Sequence, residues 1–399
     1  MIKYILLIFN LLFIFNFVYT QEENNYFQKS NFELRGYLSN MQSVMISEID
    51  EQWINDNLFH NRLNFFWYPG NNLTASIQFR NRFMYGQTIS MVPDYTSRID
   101  NRENFLDLSM NIFSGKSYFL NSTIDRLYLE YTLGKFVFTA GRQRINWGQT
   151  MVWNPNDVFN VQNYFEFDYP EKPGSDAVRV QYYPSFTSTA EIAASLDHNN
   201  KLTAAGFYRF NKWGYDFQFI GGVLSEKDYF GGIGWSGDIE GAGFRGEISY
   251  FQPKQNFRDT SGLLISSLSF DYTFSNSLYL QFEGLYSEKP KGQNETRFYD
   301  YYQGNLNVKN MSFSEWNFFF QATYPFTPLL NGSLSLMYFP DLKGIYSGPS
   351  ISYSLSNNSE VSFISQIFNG EFSNPLNPVA HENERATIFF GFVRYKFNF

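Results

Sequence analysis

The stretch TIFFGFVRYKFNF, residues 387–399, decides how the rest of the chain is interpreted. Strict alternation of apolar with polar residues suits a strand that has lipid on one face and water on the other. An open soluble sheet rarely ends on such a strand, because an unpaired apolar edge promotes aggregation. The stretch therefore predicts the last strand of a closed barrel. Its apolar face would carry Phe389, Gly391, Val393, Tyr395, Phe397 and Phe399, opposite Phe392, Arg394, Lys396 and Asn398.

The amino terminus, MIKYILLIFNLLFIFNFVYT over residues 1–20, predicts a secretory signal peptide. Lys3 precedes a short apolar run, and we expect cleavage between Thr20 and Gln21. The alternative is a transmembrane anchor, but two asparagines interrupt the run and no basic stop-transfer flank follows it. We expect residues 21–31 to form a short periplasmic segment and residues 32–399 to form the barrel.

The composition also favours a barrel over a helical membrane protein or a nucleic-acid-binding protein. Aromatic residues make up 21% of the chain, yet the mean hydropathy is −0.34 and there is no cysteine. Beyond the signal peptide no run of about 18 apolar residues occurs, which excludes helical membrane spans. The net charge of −8 provides no broad basic surface, so we expect no nucleic-acid partner.

Segments that alternate between apolar and polar residues recur along the mature chain. They predict an all-β fold, a transmembrane antiparallel β-barrel of about 18 strands, with 16 as the alternative count and both termini in the periplasm. A soluble β-sandwich also alternates, but there the apolar faces meet a core. Long loops are expected at 87–123, 146–175 and 289–311, and residues 105–113 are assigned to the first of them.

In such a barrel the faces opposite the lipid line the lumen, and strand parity predicts which charges they carry. The predicted basic wall comprises Arg35, Arg62, Arg80, Arg82, Arg126, Arg179, Arg394 and Lys396. The predicted acidic residues across the pore are Glu247, Asp271, Glu283 and Glu315. Two interpretations stay open: a transverse field that orients solutes, or ion pairs that brace the lumen, such as Glu33 with Arg35.

The loop 146–175 is too long for a simple connection, and loops of this length are usually functional or disordered. Its many aromatic side chains supply apolar surface for packing, which argues against disorder. We expect it to fold into the lumen as a constriction with its acids opposite the basic wall; the alternative is an ordered lid above the mouth. The predicted constriction residues are Trp147, Trp153, Asn154, Pro155, Asp157, Glu166 and Asp168.

A local motif adds a family resemblance. Over about forty residues the chain carries GRQ, a WG break and an NP-x-D turn, formed by Gly141, Arg142, Gln143, Trp147, Gly148, Asn154, Pro155 and Asp157. This motif resembles a porin-like family of Gram-negative outer-membrane barrels, and the GRQ strand is similar to that of alginate-exporting barrels. The terminal aromatic strand also resembles the signal by which outer-membrane barrels are recognised for assembly.

This resemblance implies an outer-membrane location, with contacts to lipid, lipopolysaccharide and the assembly machinery. One feature departs from the expected pattern. Arg142 and Arg144 share strand parity with Phe136 and Phe138, which should face lipid. Either Gly141 marks a bulge that turns the arginines inward, or they lie above the hydrocarbon.

The sequence therefore predicts a channel for passive diffusion of small hydrophilic solutes, some of them charged. The alternative is a plugged barrel that acts as a surface scaffold or binding protein, and a less favoured one is an outer-membrane hydrolase. The three histidines, His60, His198 and His381, are too scattered to predict a metal site or a catalytic dyad. We expect no enzyme activity and no cofactor, and a homo-oligomer is left open.

Overall fold

The structure is a computed structural model that describes residues 31–47, 53–92, 94–100, 104–161, 163–288, 307–372 and 384–399. The predicted signal peptide and nearly all of the periplasmic segment 21–31 lie outside the described residues. So does most of the loop predicted at 289–311. The barrel strands themselves lie within the described residues.

Eighteen antiparallel strands close into one ring. Strand β1 (Phe32–Ser47) pairs on one edge with β2 (Trp53–Trp67) and on the other with the last strand, β19 (Glu384–Asn398). The ring leaves no unpaired edge, and the predicted 18-stranded barrel is confirmed. The remaining wall strands are β3 (Leu73–Gly86), β5 (Tyr118–Leu133), β6 (Phe136–Gln143), β7 (Ser175–Ser185), β8 (Ser188–Leu196), β9 (Leu202–Lys212), β10 (Tyr215–Leu224), β11 (Asp228–Ile239), β12 (Ala242–Pro253), β13 (Leu263–Thr273), β14 (Tyr279–Ser287), β15 (Trp316–Pro325), β16 (Leu330–Phe339), β17 (Gly344–Ser356) and β18 (Ser359–Phe372).

A nineteenth strand, β4 (Ser109–Ser114), lies within the segment that the sequence assigned to a loop, and that assignment was wrong. Strand β6 is short and pairs only with residues 127–133 of β5. Residues 119–123 of the same edge would otherwise be unpaired, and β4 covers them. Two short helices, α1 (Gln87–Met91) and α2 (Tyr95–Ile99), precede β4.

The two faces of the wall differ as the alternation predicts. On β19, Val393, Tyr395 and Phe397 are 40–45% exposed on the outside, whereas inward-facing Phe392 is 9% exposed. Large exposed apolar side chains occur on every wall strand in the same way, including Tyr85 on β3 and Phe363 on β18. No helix among the described residues is long and apolar enough to cross a membrane.

The hydrophobic core lies inside the barrel, between part of the wall and the long connection from β6 to β7. Phe251, Ile265 and Leu285 of the wall are 0% exposed, and Trp147 and Trp153 of the connection are each 2% exposed. Fully burying one such side chain stabilises the fold by about 1.5–3 kcal/mol. The connection is therefore a packed part of the fold.

Gly141 on β6 provides a test of this wall. Its φ is +115°, and a Cβ there would overlap the carbonyl oxygen of Leu127 on β5. We expect Gly141→Ala to lower the free energy of unfolding by about 2–4 kcal/mol, because strained backbone and a steric clash add. Urea unfolding of the refolded barrel in micelles measures this free energy. The control is Gly206→Ala, where the nearest atom would be 3.8 Å from the added Cβ; equal stability of the two variants would contradict the expectation.

Candidate functional site: a loop inside the barrel

The connection between β6 and β7, residues 144–174, folds into the barrel lumen. It leaves the wall after Gln143 and returns at Ser175, and these two residues are paired neighbours in the wall. The loop forms two lobes, which we define as the first lobe, residues 145–160, and the second lobe, residues 163–173. The first lobe packs against β8–β14, and the second lobe crosses to β15–β19 and returns along β1–β5.

Two wall carboxylates anchor the first lobe through its backbone. Glu283 accepts hydrogen bonds from the three consecutive N–H groups of residues 151–153, at 3.0, 3.1 and 2.7 Å. Glu247 accepts N–H bonds from Thr150 and Asn156, both at 2.8 Å, and from Gln149. Both carboxylates are 0% exposed, and bonds of this charge-assisted kind can compensate the cost of burying them.

These contacts correct the prediction that Glu247 and Glu283 line the pore, because the loop covers both. Asp271 is engaged by an ion pair with Arg245. Glu315 lies one residue before β15, and its backbone N–H donates to Asp341 at 3.0 Å, at the long-loop end of the barrel. The predicted acidic set is thus divided among loop anchors, an ion pair and the barrel rim.

The first lobe also depends on a buried ring. Trp147 stacks on Phe207 of β9, with ring centroids 5.3 Å apart, and its indole N–H donates to Glu191 at 3.1 Å. Glu191 accepts a second bond from Arg179 at 2.8 Å. Arg179 therefore braces the lobe through Glu191.

The NP-x-D residues form the tight turn at the end of this lobe. The N–H of Asp157 donates to the carbonyl of Asn154 at 3.0 Å, and the carbonyl of Pro155 accepts from Ser249 at 3.0 Å. A Cβ at Gly148 would overlap the Asn154 side chain, so the WG break and the turn fit together. Burial raises the pKa of Asp157 to about 7, and Arg144, 3.3 Å away, opposes that shift.

The second lobe is held mainly by ring contacts. Phe165 packs against Tyr346 and Phe368, with ring centroids 4.9 and 5.1 Å apart. Phe167 packs against Phe392 at 4.8 Å. These contacts carry the lobe across the lumen toward the strands where the chain ends meet.

The second lobe places its acids beside Arg80. The Arg80 guanidinium lies 3.5 Å from Glu166 and 3.5 Å from Asp168, and over the Tyr169 ring at 3.7 Å. The Glu166 side chain is 41% exposed and that of Asp168 is 23% exposed, whereas that of Arg80 is 7% exposed. The loop acids, more than the arginine, therefore present charge to the open lumen.

Most of the other predicted basic residues are braced by ion pairs. Arg62 lies 2.7 Å from Asp125, and Arg126 lies 3.1 Å from the same carboxylate. Arg126 also donates to two backbone carbonyls of the second lobe, at 2.8 and 2.6 Å. Arg35 forms an ion pair with Glu33 at the barrel rim, and Arg394 on the last strand forms one with Glu360 at 3.3 Å.

Two predicted cations differ from this pattern. Arg82 donates to the Ile99 carbonyl at 3.2 Å and to Asn121 at 3.0 Å. Lys396 lies 4.2 Å from the centre of the Tyr37 ring. Neither cation forms an ion pair with a carboxylate of the described part of the chain. Their charges are therefore the least neutralised of the predicted basic wall.

A narrow space, which we call the seam gap, separates the second lobe from the strands that close the barrel. Its volume is about 20 Å³, room for roughly one water molecule. His60, only 3% exposed, lies beside it and contacts Tyr37 and Arg80, both at 3.4 Å. The inward parity that His60 shares with Arg62 is visible in the sequence, whereas its burial is visible only in the structure. The seam gap is lined by Tyr37, Ser39, Met41, Leu58, His60, Asp168, Pro170, Arg394 and Lys396.

The two arginines of uncertain orientation have different positions. Arg142 keeps the outward parity of Phe136, and the register shows no bulge at Gly141. Its side chain is nevertheless buried, since it pairs with Asp176 at 2.8 Å and donates to the carbonyl of Leu106 at 2.5 Å. Arg144 lies on the loop beside Asp157. The bulge explanation is therefore wrong for Arg142, whose side chain is covered by the segment before β4, and its position above the hydrocarbon stays a prediction.

Several solved structures share this fold. OccAB4 of Acinetobacter baumannii has a TM-score of 0.56 at 12% identity, covering 94% of this chain and 100% of that one. OccK11 (OpdR) of Pseudomonas aeruginosa has a TM-score of 0.56 at 9% identity, covering 92% and 96%. OpdK of P. aeruginosa, solved with vanillate, has a TM-score of 0.54 at 8% identity, covering 92% and 99%. No protein-family model and no curated protein matches the chain, so the motif family suggested by residues 141–157 stays a prediction.

The anchoring of the first lobe can be tested with Glu283→Ala. Each charge-assisted bond that is lost should ease local opening by about 1.5–3 kcal/mol. We therefore expect hydrogen exchange at the amides of residues 151–153 to accelerate at least about tenfold. Glu33→Ala, near the start of β1 and away from the loop, is the control and should leave those amides unchanged. Unaltered exchange in Glu283→Ala would show that ring packing alone holds the lobe.

Proposed function

We propose that this protein is an outer-membrane channel through which small hydrophilic solutes diffuse passively. The observation that carries the proposal is a closed barrel, apolar outside, whose lumen holds an inward-folded loop beside a charged seam gap. A closed antiparallel barrel satisfies every ladder hydrogen bond, which hydrocarbon requires. The solved structure of OpdK with vanillate supports a path for a small solute in a barrel of this fold.

The proposed path follows the seam gap. It runs between Arg394 and Lys396 on one side and the Asp168 carboxylate of the second lobe on the other. Arginine and lysine stay charged at neutral pH, so a solute on this path meets fixed charges of both signs within a few side chains. Such an arrangement orients dipolar solutes and discriminates by charge.

Passage requires movement of the second lobe, because the gap of about 20 Å³ holds roughly one water molecule. This lobe is held by ring contacts, by ion pairs of 3.5 Å at partly exposed carboxylates and, at its end, by the two hydrogen bonds from Arg126. The first lobe is held by buried carboxylates that accept several N–H bonds each. The second lobe is thus held to the wall less strongly than the first, and we propose that it moves as solutes pass.

The location of the protein belongs to the same proposal. Residues 1–20 would direct secretion in a Gram-negative bacterium, and the terminal aromatic strand would engage the outer-membrane assembly machinery. The apolar outer face would contact lipid and lipopolysaccharide, and copies of the barrel would associate. We propose no enzymatic activity; the described hydrogen bonds of the His60 ring are with Tyr37 and Arg80.

Planar-bilayer conductance of the refolded mature protein under a salt gradient tests the channel. Steady current steps with a nonzero reversal potential are expected. The second candidate is a plugged barrel that serves as a surface scaffold, and the tight packing of the loop across the lumen favours it. Silence from a barrel shown to be folded would support the scaffold and contradict the channel.

The charges at the seam can be tested with the double variant Arg80→Ser/Arg82→Ser. Removing both cations leaves Glu166 and Asp168 without their arginine partner. We expect the cation-to-anion permeability ratio to rise severalfold, measured from reversal potentials. Arg35→Ser is the control, since Arg35 is exposed and paired with Glu33 away from the loop. An unchanged ratio in the double variant would remove these arginines from the selectivity mechanism.

The second lobe can be tested by replacing residues 163–170 with a short glycine linker. The lobe occupies the lumen beside the seam gap, so its removal should raise single-channel conductance severalfold. Tryptophan fluorescence of the buried first lobe serves as the check that the barrel remains folded. Equal conductance in the intact and shortened proteins would mean that this lobe does not constrict the path.

A further inference from the structure

One sector of the outer wall carries a cluster of amide side chains among its apolar ones. We define the amide patch as Asn40, Gln42, Asn57, Asn61, Asn81 and Ser122. Strand parity directs these side chains outward from β1, β2, β3 and β5, because their neighbours of opposite parity, such as His60 and Arg80, line the lumen. Leu38 and Phe59 lie among them and are 48% and 42% exposed, and on the other strands large apolar groups prevail at outward positions, as at Leu268, Phe282 and Ile351.

The patch is a connected set of hydrogen bonds. Asn40 donates to Asn57 at 2.9 Å, and Asn57 donates to Gln42 at 3.1 Å. On the neighbouring strands Asn81 donates to Asn61 at 3.2 Å. An amide NH₂ group has two hydrogens, and among the described contacts Asn40, Asn57 and Asn81 each use one of them. Asn57 is only 5% exposed, so the donors that remain for a partner outside the barrel are those of Asn40 and Asn81.

Part of the patch lies at the depth of hydrocarbon. Asn61 is six residues along β2 from Trp67, at the periplasmic end of the strand. At about 3.3 Å per residue and a tilt of about 40°, this places Asn61 about 15 Å above Trp67, within an apolar band about 25 Å tall. Lipid tails offer no partner to these amides, and an unmatched polar group there is costly.

The chemistry of the patch indicates which partner covers it. Lipopolysaccharide phosphates need cations, yet none of the outward residues on the described strands β1, β2, β3 and β5 is charged. Amides are both donors and acceptors, so two copies of one amide surface complement each other across a two-fold axis. Four strands about 4.8 Å apart and ten residues long present about 600 Å², close to the roughly 800 Å² per partner of a stable interface.

We propose that the amide patch is the interface between two copies of this chain in the outer membrane. The inference rests on the proposed membrane location and adds the surface through which copies associate. In the dimer the free amide hydrogens of one copy bond to side-chain oxygens of the other. The polar sector is thereby removed from lipid without any charge being buried.

The experiment uses the full mature chain in lipid vesicles. Because the chain has no cysteine, a single introduced cysteine reports contact between copies. Under mild oxidation we expect the yield of disulfide-linked dimer from Asn61→Cys to be at least tenfold higher than the yield from Leu268→Cys. Leu268 lies on the apolar wall at β13. Equal cross-linking of the two variants would indicate random collision and overturn the proposal.

A second variant tests the hydrogen bonds themselves. The double variant Asn61→Leu/Asn81→Leu should raise the dissociation constant of the dimer in detergent at least tenfold, measured by analytical ultracentrifugation. Ser347→Leu, on the outward face of β17, should leave that constant unchanged. Conductance recorded on the same samples separates the two proposals. A conducting barrel that stays monomeric would overturn only the dimer, and a folded barrel that is silent but dimeric would overturn only the channel.

Discussion

The pairing of β1 with β19 is the interaction on which the rest of the structure depends. It runs from Tyr37 opposite Asn398 to Ser47 opposite Ile388, and it joins the two ends of the wall. Without it the first and last strands would each expose a row of unpaired N–H and C=O groups, which lipid cannot satisfy. The same pairing brings Lys396 beside Tyr37, so the seam gap exists only because the ring is closed.

Closure of the ring also creates an interior that the chain must fill. An 18-stranded ring encloses more space than wall side chains alone occupy, and residues 144–174 occupy part of it. Apolar wall residues on one side receive the rings of the first lobe, and the charged strands on the other side face the second lobe. The two halves of the lumen therefore differ in chemistry, with a packed core in one and clustered charges in the other.

Burial changes what the charged residues do. Glu247 and Glu283 are tolerated at 0% exposure because each accepts several backbone N–H bonds, and they act as anchors. The arginines of β2, β5 and β7 are likewise engaged by carboxylates, which favours bracing over a free transverse field for most of the predicted basic wall. The charges that remain available are those of Arg82, Lys396 and the second-lobe acids.

Alternation in the sequence predicts the strands well, because lipid on one side and water on the other impose a period of two on every wall strand. It did not predict β4, because that strand forms by pairing with the part of β5 that the short β6 leaves unpaired, and local alternation does not show that pairing. Parity also could not show that Glu283 is covered, because the loop that covers it lies 130 residues away in the chain.

The sequence by itself determined the barrel, its closing strand and the presence of a structured loop after β6, because each follows from a local pattern of apolar and polar residues. Only the tertiary structure decided which charges face open lumen, which are paired, and that polar side chains gather on one outer sector of the wall. Those outcomes depend on which strands become neighbours once the ring closes. No local pattern contains that information.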